Sequence, residues 1–324
     1  MSRARRPPDE LFAEARAGDR SALARLLSVI ERGGPDARAV GRLSHPLSGS
    51  GYLVGLTGAP GAGKSTLTSA TIAHLRSFDE EVAVLAIDPS SPFSGGAILG
   101  DRVRMQDHAT DAGVFIRSMA TRGHLGGLTL ATPEAVRLLD AVGRKWILVE
   151  TVGVGQVEVE IAGKADTTVV VVNPGWGDSV QANKAGLMEI ADVFVINKAD
   201  RSGVDQTRRD LEQMLDLSDL DHDEHGAGWR PPIVATVSTT GDGVAELWDA
   251  VLAHREHAES TGLLERRRTH RIREELREIV TERLRERARE LCTGERWDEL
   301  AEQVLDHTVD PWSAADEMLA PVDA

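Results

Sequence analysis

Short runs of apolar residues, many of them β-branched, recur through the middle of the chain, and most are separated by segments long enough to hold a helix. Strands that alternate with helices favour a parallel sheet whose two faces are both covered. We therefore predict an α/β fold built on a mostly parallel, doubly wound sheet, with helical N- and C-terminal extensions. The predicted strands are Tyr52–Thr57, Val82–Ile87, Val114–Ser118, Trp146–Glu150, Thr167–Asn173, Val193–Asn197 and Ile233–Val237.

Helical periodicity marks the amino-terminal end of the chain. Residues 9–30 place apolar side chains at helical spacing with a break near Gly18, which predicts two short helices. Asp19 or Ser21 is the expected cap of the second helix. The segment Gly33-Gly34-Pro35 and residues 46–51 are interpreted as turns. These boundaries predict a helical extension over residues 1–50, an α/β domain over 51–253 and a helical region over 254–324.

The carboxyl-terminal region combines a helical pattern with dense charge. From about Trp248 to Arg289, Glu and Arg residues surround a small number of apolar positions. One interpretation is a solvated helix with i,i+4 ion pairs, each contributing only ~0.2–0.5 kcal/mol. The other is an amphipathic arm that packs on a second subunit, and the pattern alone favours neither. Residues 297–319 predict two more short helices, interrupted at Asp310-Pro311.

Composition limits the partners of this 324-residue chain. The net charge of −15 argues against a nucleic-acid backbone or an anionic membrane as the main partner. The single cysteine, Cys292, leaves no intrachain disulfide and no cysteine-based metal site. Neither a secretory signal nor a run of about 20 apolar residues is evident. We therefore expect a cytoplasmic protein that binds neither nucleic acid nor a membrane.

The strongest chemical signal comes directly after the first predicted strand. The segment Gly58-Ala-Pro-Gly-Ala-Gly63-Lys64-Ser65-Thr66 matches G-x-x-x-x-G-K-[ST], the P-loop motif. Its glycines let backbone N–H groups turn towards phosphates, and the following helix terminus adds positive potential. In this motif Lys64 reaches the β- and γ-phosphates, and the Ser65 hydroxyl binds Mg²⁺. The predicted phosphate-binding residues are Gly58, Ala59, Pro60, Gly61, Ala62, Gly63, Lys64, Ser65 and Thr66.

A second motif, Asn197-Lys198-Ala199-Asp200, follows the strand Val193–Asn197 and indicates which base is bound. The Asp200 carboxylate can accept both N–H donors on the N1/N2 edge of guanine. Adenine offers no such pair, so it would leave the carboxylate without partners. Asn197, Lys198 and Asp200 therefore predict GTP and GDP as ligands. Ser238, after the last predicted strand, is expected to support the base through its backbone N–H.

A third element resembles the switch II segment of GTPases. The strand Trp146–Glu150 ends in an acid, and Gly153 follows three residues later. In such a segment the acid orients Mg²⁺ and the glycine N–H senses the γ-phosphate. Ras-like enzymes have Asp and a following Gln, whereas this chain has Glu150 and Val154. We therefore expect slow hydrolysis alone, with acceleration when another group completes the site.

Together with these motifs, several further segments resemble the MeaB/ArgK family of metallochaperone P-loop GTPases, and the likeness covers essentially the whole chain. They are residues 86–92 (Ala-Ile-Asp-Pro-Ser-Ser-Pro), 95–105, 117–127, 150–156, 181–186 and 310–315. The resemblance implies GTP hydrolysis beside an adenosylcobalamin-dependent acyl-CoA mutase. It also implies control of cobalamin loading, protection or reactivation of that mutase, and a homodimer formed through a carboxyl-terminal arm.

The resemblance also implies residue roles. Asp88 and Asp101 would be magnesium-side or switch I carboxylates, and Asp178, Gln181 and Lys184 would lie on a switch that signals to the mutase. A plain β–α connection is the alternative for that last segment. The resulting catalytic set is Lys64, Asp101, Glu150, Gly153 and Gln156. The resulting Mg²⁺ ligand set is Ser65, Asp88, Asp101 and Glu150.

Some positions depart from the family pattern and leave the partner open. Val157 and Arg102 stand where relatives commonly have Ser and Lys, and residues 117–122 lack a proline associated with the methylmalonyl-CoA mutase partner. The resemblance therefore implies methylmalonyl-CoA mutase or a related isobutyryl- or 2-hydroxyisobutyryl-CoA mutase as the expected partner.

Two other functions are compatible with this fold. A nickel-insertion GTPase would be expected to have a His-rich tail or a cysteine ligand, and the sequence has neither. The acidic run at residues 216–225 contains His and Asp, which could suggest a metal site, but it is interpreted as a solvated loop. An ATPase or kinase linked to basic amino-acid transport conflicts with the guanine motif.

Overall fold

The computed structural model describes residues 6–88, 106–108, 110–120, 127–151, 164–175, 189–218 and 228–320, and every structural statement below concerns these ranges. The strands are β1 (Tyr52–Gly58), β2 (Val82–Asp88), β3 (Val114–Ala120), β4 (Trp146–Thr151), β5 (Thr167–Val172), β6 (Val193–Asn197) and β7 (Ile233–Thr236). The helices are α1 (Pro8–Arg16), α2 (Arg20–Arg32), α3 (Gly34–Ser44), α4 (Lys64–Arg76), α5 (Gly127–Ala141), α6 (Val204–Ser218), α7 (Val244–Ser260), α8 (Leu263–Leu291), α9 (Glu295–Leu305) and α10 (Pro311–Leu319). Short 3₁₀ turns occupy His45–Leu47 and Gln106–His108.

The seven strands form one sheet in the order β3-β2-β4-β1-β5-β6-β7, and every pairing is parallel. The predicted strands and the α/β fold class are therefore confirmed. Most strands are buried along their whole length, which explains their nearly continuous apolar sequences. Because the strands are parallel, their carboxyl ends share one edge, and the loops after β1, β4 and β6 meet there.

Helices cover both faces of the sheet. On one face α1, α2, α3 and α5 bury a core against β2, β3, β4 and Leu53 of β1. Helix α6 continues this layer over β5 and β6. On the other face α4 and α7 pack against β1, β4 and β5. The amino-terminal helices are therefore part of the sheet's covering layer, since residues such as Leu26, Leu27 and Val40 are fully buried there.

The amino-terminal helices differ from the prediction in one respect. The two predicted helices are confirmed, and the Asp19 carboxylate caps α2 by accepting bonds from the backbone N–H groups of Ser21 (2.7 Å) and Ala22 (3.0 Å). The predicted break at Gly33-Gly34-Pro35 is present, but it is followed at once by a third helix, α3, which begins at Gly34 and was not predicted. Gly33 has φ = 71° and ends α2, while Pro35 fits the first turn of α3, where its missing N–H costs nothing.

The chain divides into two compact units, Met1–Ile272 and Arg273–Ala324. The first contains the sheet, α1 to α7 and the first turns of α8. The second contains the remainder of α8 with α9 and α10, whose start at Pro311 confirms the predicted interruption, with Asp310 as its cap. Across the described ranges, no helix is long and apolar enough to cross a membrane.

The first turns of α8 do not match the interpretation of a solvated helix. Arg267 and Arg268 form ion pairs with Asp192 and Asp166, and both carboxylates are buried beside the amino-terminal edge of the sheet. Burial alone would raise the pKa of Asp192. Bonds from His254 and Arg267 outweigh this effect and hold that pKa below its ordinary value of 3.8.

The lowered pKa of Asp192 predicts a specific loss of stability in acid. Because the folded pKa lies below the unfolded one, the stabilisation is fully present above the unfolded value and declines as the pH falls below it. We expect Asp192→Asn to be less stable than the unmodified chain at pH 7. Below about pH 4, its free energy of unfolding is expected to fall less steeply than that of the unmodified chain, with slopes that differ by up to ~1.4 kcal/mol per pH unit. Urea unfolding at pH 3 to 7 measures both slopes. The exposed Asp205→Asn variant is the control, and parallel curves for Asp192→Asn and the unmodified chain would contradict the prediction.

Candidate nucleotide-binding site

The loop between β1 and α4 has the backbone conformation of a phosphate-binding turn. Gly58, Gly61 and Gly63 all have positive φ, at 137°, 74° and 93°. At Gly58 a Cβ atom would lie 2.0 Å from the Val171 carbonyl oxygen on β5, so only glycine fits. The loop leads directly into the first turn of α4, and a helix N-terminus favours an anion through its backbone N–H groups and its dipole.

Lys64 is held inside this loop. Only 7% of the residue is exposed, and its Nζ donates hydrogen bonds to the carbonyl oxygens of Gly58 (2.7 Å) and Ala59 (3.2 Å). The ammonium group therefore lies where the loop would surround a phosphate. Its contact with the β- and γ-phosphates stays a prediction.

Glu150 and Ser65 meet beside the loop. Glu150 is fully buried on β4, and its Oε1 accepts a hydrogen bond of 2.5 Å from the Ser65 hydroxyl. The pair sits between β1 and β2, because Glu150 is in register with Leu56 on one side and Ala86 on the other. Asp88 ends β2 two residues further along. A carboxylate and a hydroxyl side by side at this edge are oxygen ligands of the type that Mg²⁺ prefers.

Asn197, at the end of β6, connects the phosphate loop to the loop after β7. Its Nδ2 donates to the carbonyl oxygen of Ala62 at 2.8 Å. Its Oδ1 accepts from the hydroxyls of Ser238 (2.6 Å) and Thr236 (3.1 Å), and from the Ser238 N–H at 3.3 Å. Both ends of the amide are therefore satisfied by protein, and Asn197 braces two loops. Ser238 lies next to the motif, but its backbone N–H, which was predicted to support the base, donates to Asn197. Thr236 was not identified from the sequence.

Lys198 and Asp200 complete the second motif. Lys198 adopts φ = 60°, and its Nζ donates to the Gly61 carbonyl oxygen at 2.6 Å, so its side chain crosses over the phosphate loop. Asp200 is exposed, which leaves its carboxylate open to a ligand. A base placed beyond Lys198 would meet this carboxylate while its phosphates occupied the loop of Gly58 to Ser65.

The contact between Asn197 and the loop gives a testable prediction at Gly63. A Cβ atom there would lie 2.4 Å from the Asn197 Nδ2, whereas a Cβ on Gly61 would meet nothing within 4 Å. Both glycines have positive φ, so alanine costs ~1–2 kcal/mol of strain at either position. We expect Gly63→Ala to displace Asn197, and calorimetry is expected to give a Kd for GDP about tenfold higher in Gly63→Ala than in Gly61→Ala. Equal Kd values for the two variants would show that this brace does not matter for binding.

The structure places most of the predicted site residues at one edge of the sheet. Gly58 to Thr66, Glu150, Asn197, Lys198, Asp200 and Ser238 are all found there. Asp101, Gly153 and Gln156 lie outside the described residues, as do Asp178, Gln181 and Lys184 and most of the acidic run. In the part of the chain that is described, His, Cys, Asp and Glu side chains form no cluster of three that could hold a metal ion.

Comparison with known proteins identifies the relatives of this chain. The family described as "Methylmalonyl Co-A mutase-associated GTPase MeaB" matches residues 23–293. A protein of Pyrococcus abyssi named as a GTPase is 51% identical over 97% of this chain and 96% of its own length. The GTPase ArgK of Escherichia coli is 36% identical over 84% of this chain and 83% of its own length.

The fold and the family agree. The crystal structure of an LAO/AO transport system kinase superposes with a TM-score of 0.69 and 26% identity, covering 96% of both chains. The predicted resemblance to the MeaB/ArgK family is confirmed by a match over most of the sequence. A P-loop with its lysine in place and a braced guanine motif are the features that such an enzyme needs. The chain belongs to the MeaB family of P-loop GTPases, related to ArgK, and is an enzyme that hydrolyses GTP.

Proposed function

We propose that this GTPase is a metallochaperone for an adenosylcobalamin-dependent acyl-CoA mutase. It gates the loading of the cobalamin cofactor and protects or reactivates the mutase, which is methylmalonyl-CoA mutase or a related isobutyryl- or 2-hydroxyisobutyryl-CoA mutase. The observation that carries the proposal is the family match over residues 23–293, because the description of that family names an association with methylmalonyl-CoA mutase.

The oxygen groups of the site support the proposal that the protein binds Mg²⁺ together with GTP or GDP. Ser65 and Glu150 supply a hydroxyl and a carboxylate oxygen 2.5 Å apart, and Asp88 ends the neighbouring strand. Mg²⁺ is usually held by one or two protein oxygens together with phosphate oxygens and water. When bound, the ion would neutralise charge on the transferred phosphate. Ser65 and Glu150 are the residues that would hold it, with Asp88 and Asp101 as further candidates.

The residues of the chain contribute mainly by positioning. The loop amides and Lys64 hold the β- and γ-phosphates, and Asn197 keeps the loop in register with the base motif. Phosphoryl transfer needs little covalent chemistry from the protein, so charge stabilisation and alignment supply most of the acceleration. Val154 stands where a water-positioning Gln is common. We therefore propose slow basal turnover that the mutase accelerates by completing or ordering the site.

The exposed face of α8 supports a homodimer. Ile272, Leu276, Val280 and Leu284 recur every four residues along this helix, and each is 49–62% exposed. Four aliphatic side chains in one row on a highly charged helix are unusual for a face in contact with water. We propose that a second copy of the chain covers this row, as the family resemblance implies.

Reconstitution of a mutase tests the chaperone role. The mutase without cofactor is mixed with adenosylcobalamin and this protein, and cofactor transfer is followed by absorbance in the presence of GTP, GDP or ATP. We expect loading to depend on GTP and to be lost in Lys64→Ala. Loading that proceeds equally with GTP and GDP would contradict the gating role. Support by ATP at the same concentration would favour an ATPase instead.

A further inference from the structure

The first turns of α8 hold the amino-terminal end of β6. Asp192 comes immediately before this strand and is completely buried. Its two carboxylate oxygens accept hydrogen bonds from the two terminal nitrogens of Arg267, at 2.8 Å each. The parallel, two-bond geometry fixes the direction of the guanidinium group as well as its distance.

The same helical turns hold the ends of β5 and β1. Asp166 comes immediately before β5, is 1% exposed, and accepts bonds from Arg268 (2.7 Å) and Arg271 (3.2 Å). Arg268 also donates to the carbonyl oxygen of Gly51, the residue before β1, at 2.8 Å. We call the five residues Asp166, Asp192, Arg267, Arg268 and Arg271 the arginine clamp.

Further bonds fix the two carboxylates to the sheet itself. Asp192 Oδ2 accepts from the Thr168 N–H at 2.8 Å, and Asp166 Oδ2 accepts from the Leu53 N–H at 3.0 Å. His254 Nε2 of α7 lies 3.2 Å from Asp192 Oδ1. The carboxylates thus join α8 to the backbones of β5 and β1. Because a buried carboxylate cannot easily exchange protein partners for water, the clamp ties the position of α8 to that of the strands.

Two of the three clamped strands, β1 and β6, carry parts of the nucleotide site at their carboxyl ends. β1 ends at Gly58 and begins the phosphate loop, while β6 ends at Asn197 and begins the base motif. β6 has only five residues, so Asp192 and Asn197 are separated by about 17 Å of fully paired strand. A buried strand with partners on both sides moves as a unit, so a shift at its amino-terminal end also reaches the loop at the other end.

We propose that the arginine clamp couples the position of α8 to nucleotide affinity. The two units divide after Ile272, directly beyond the last clamp residue, and α8 continues to Leu291 in the second unit. A second copy of the chain that binds α8 beyond Ile272 is therefore expected to change the affinity for GTP and GDP. Linkage makes the effect reciprocal, so bound nucleotide also changes the affinity for that second copy. This inference rests on the proposed nucleotide site.

Conservative substitution of one clamp residue tests the coupling. Arg267→Lys keeps the charge but loses the two-bond geometry, whereas its neighbour Arg266 is exposed and donates only a surface bond to the Thr261 carbonyl oxygen among the described contacts. GDP affinity is measured by calorimetry at 25 °C, with folding monitored by circular dichroism. We expect the Kd for GDP to rise about fivefold or more in Arg267→Lys, within the usual range of coupling, and to change less than twofold in Arg266→Lys.

A purely structural clamp would lower Tm without changing the Kd of the folded protein, so an unchanged Kd in folded Arg267→Lys overturns the inference. If that variant does not fold, hydrogen exchange of the unmodified chain decides. GDP is then expected to slow exchange at the α8 amides up to residue 272, and equal rates with and without GDP overturn the inference. If the unmodified chain binds no GDP at all, the proposed nucleotide site is refuted together with the coupling. If it binds GDP but the Kd is unchanged in Arg267→Lys, only the coupling is refuted.

Discussion

Replacing Lys64 with alanine is expected to abolish GTP turnover. The Lys64 ammonium group lies inside the phosphate loop, bonded to the carbonyl oxygens of Gly58 and Ala59. Bound GTP would replace these carbonyl partners with phosphate oxygens, whose negative charge the ammonium stabilises most strongly in the transition state. Loss of one such preorganised donor costs about 10²- to 10³-fold in kcat. A larger loss is expected here because Lys64 carries a full charge in a buried position.

The measurement is phosphate release at saturating GTP. Lys145→Ala serves as the control, because Lys145 lies on the far side of the domain, where it pairs with Glu80 on the surface. The control is expected to keep the unmodified rate within about twofold. A Lys64→Ala enzyme that retained near-normal turnover would show that the loop of Gly58 to Ser65 is not the hydrolytic site.

Replacing Asp200 with asparagine is expected to change the base that the enzyme accepts. The exposed carboxylate of Asp200 would accept the N1 and N2 protons of guanine. Asparagine offers one acceptor and one donor, which match xanthine, where a carbonyl oxygen replaces the N2 amino group. A site built for one hydrogen-bonding pattern rejects the other because the mismatched groups lose their partners. We expect GTP affinity to fall at least about 10²-fold and XTP affinity to rise.

Competition binding with GTP, XTP and ATP measures this change. Asp205→Asn is the matched control, since Asp205 is an exposed aspartate five residues further along, in the first turn of α6. The control is expected to keep the preference for GTP. An Asp200→Asn variant that still preferred GTP over XTP would place the guanine site elsewhere. Equal affinity of the unmodified chain for ATP would favour the function named for the transport system kinase.

The strands of the sheet could be predicted from the sequence because most of them are buried on both faces. A parallel strand covered on both faces is apolar along its whole length, so β4, β5 and β6 are each recognisable without any partner. The phosphate loop and the base motif are equally local, since the chemistry of each is contained in four to nine consecutive residues. The two motifs contact each other through Asn197 and Ala62 because both follow the carboxyl ends of parallel strands, which lie at the same edge of the sheet.

Contacts between distant residues could not be predicted in this way. Arg267 lies 75 residues from Asp192, and Arg268 lies 102 residues from Asp166. Nothing in the local pattern distinguishes these arginines from exposed ones on the same helix, such as Arg266 and Arg273. Thr236 was missed for a similar reason, because a threonine at the end of β7 carries no signal until Asn197 is placed beside it.

GTP hydrolysis by the pure protein, alone and with each candidate adenosylcobalamin-dependent acyl-CoA mutase, tests the proposed chaperone role. We expect slow basal turnover that depends on Lys64 and is strongly stimulated by one mutase. Stimulation by a single mutase would identify the partner and support the gating role. Basal GTP turnover that no mutase stimulates would leave the enzyme a GTPase and contradict its proposed role as a mutase chaperone.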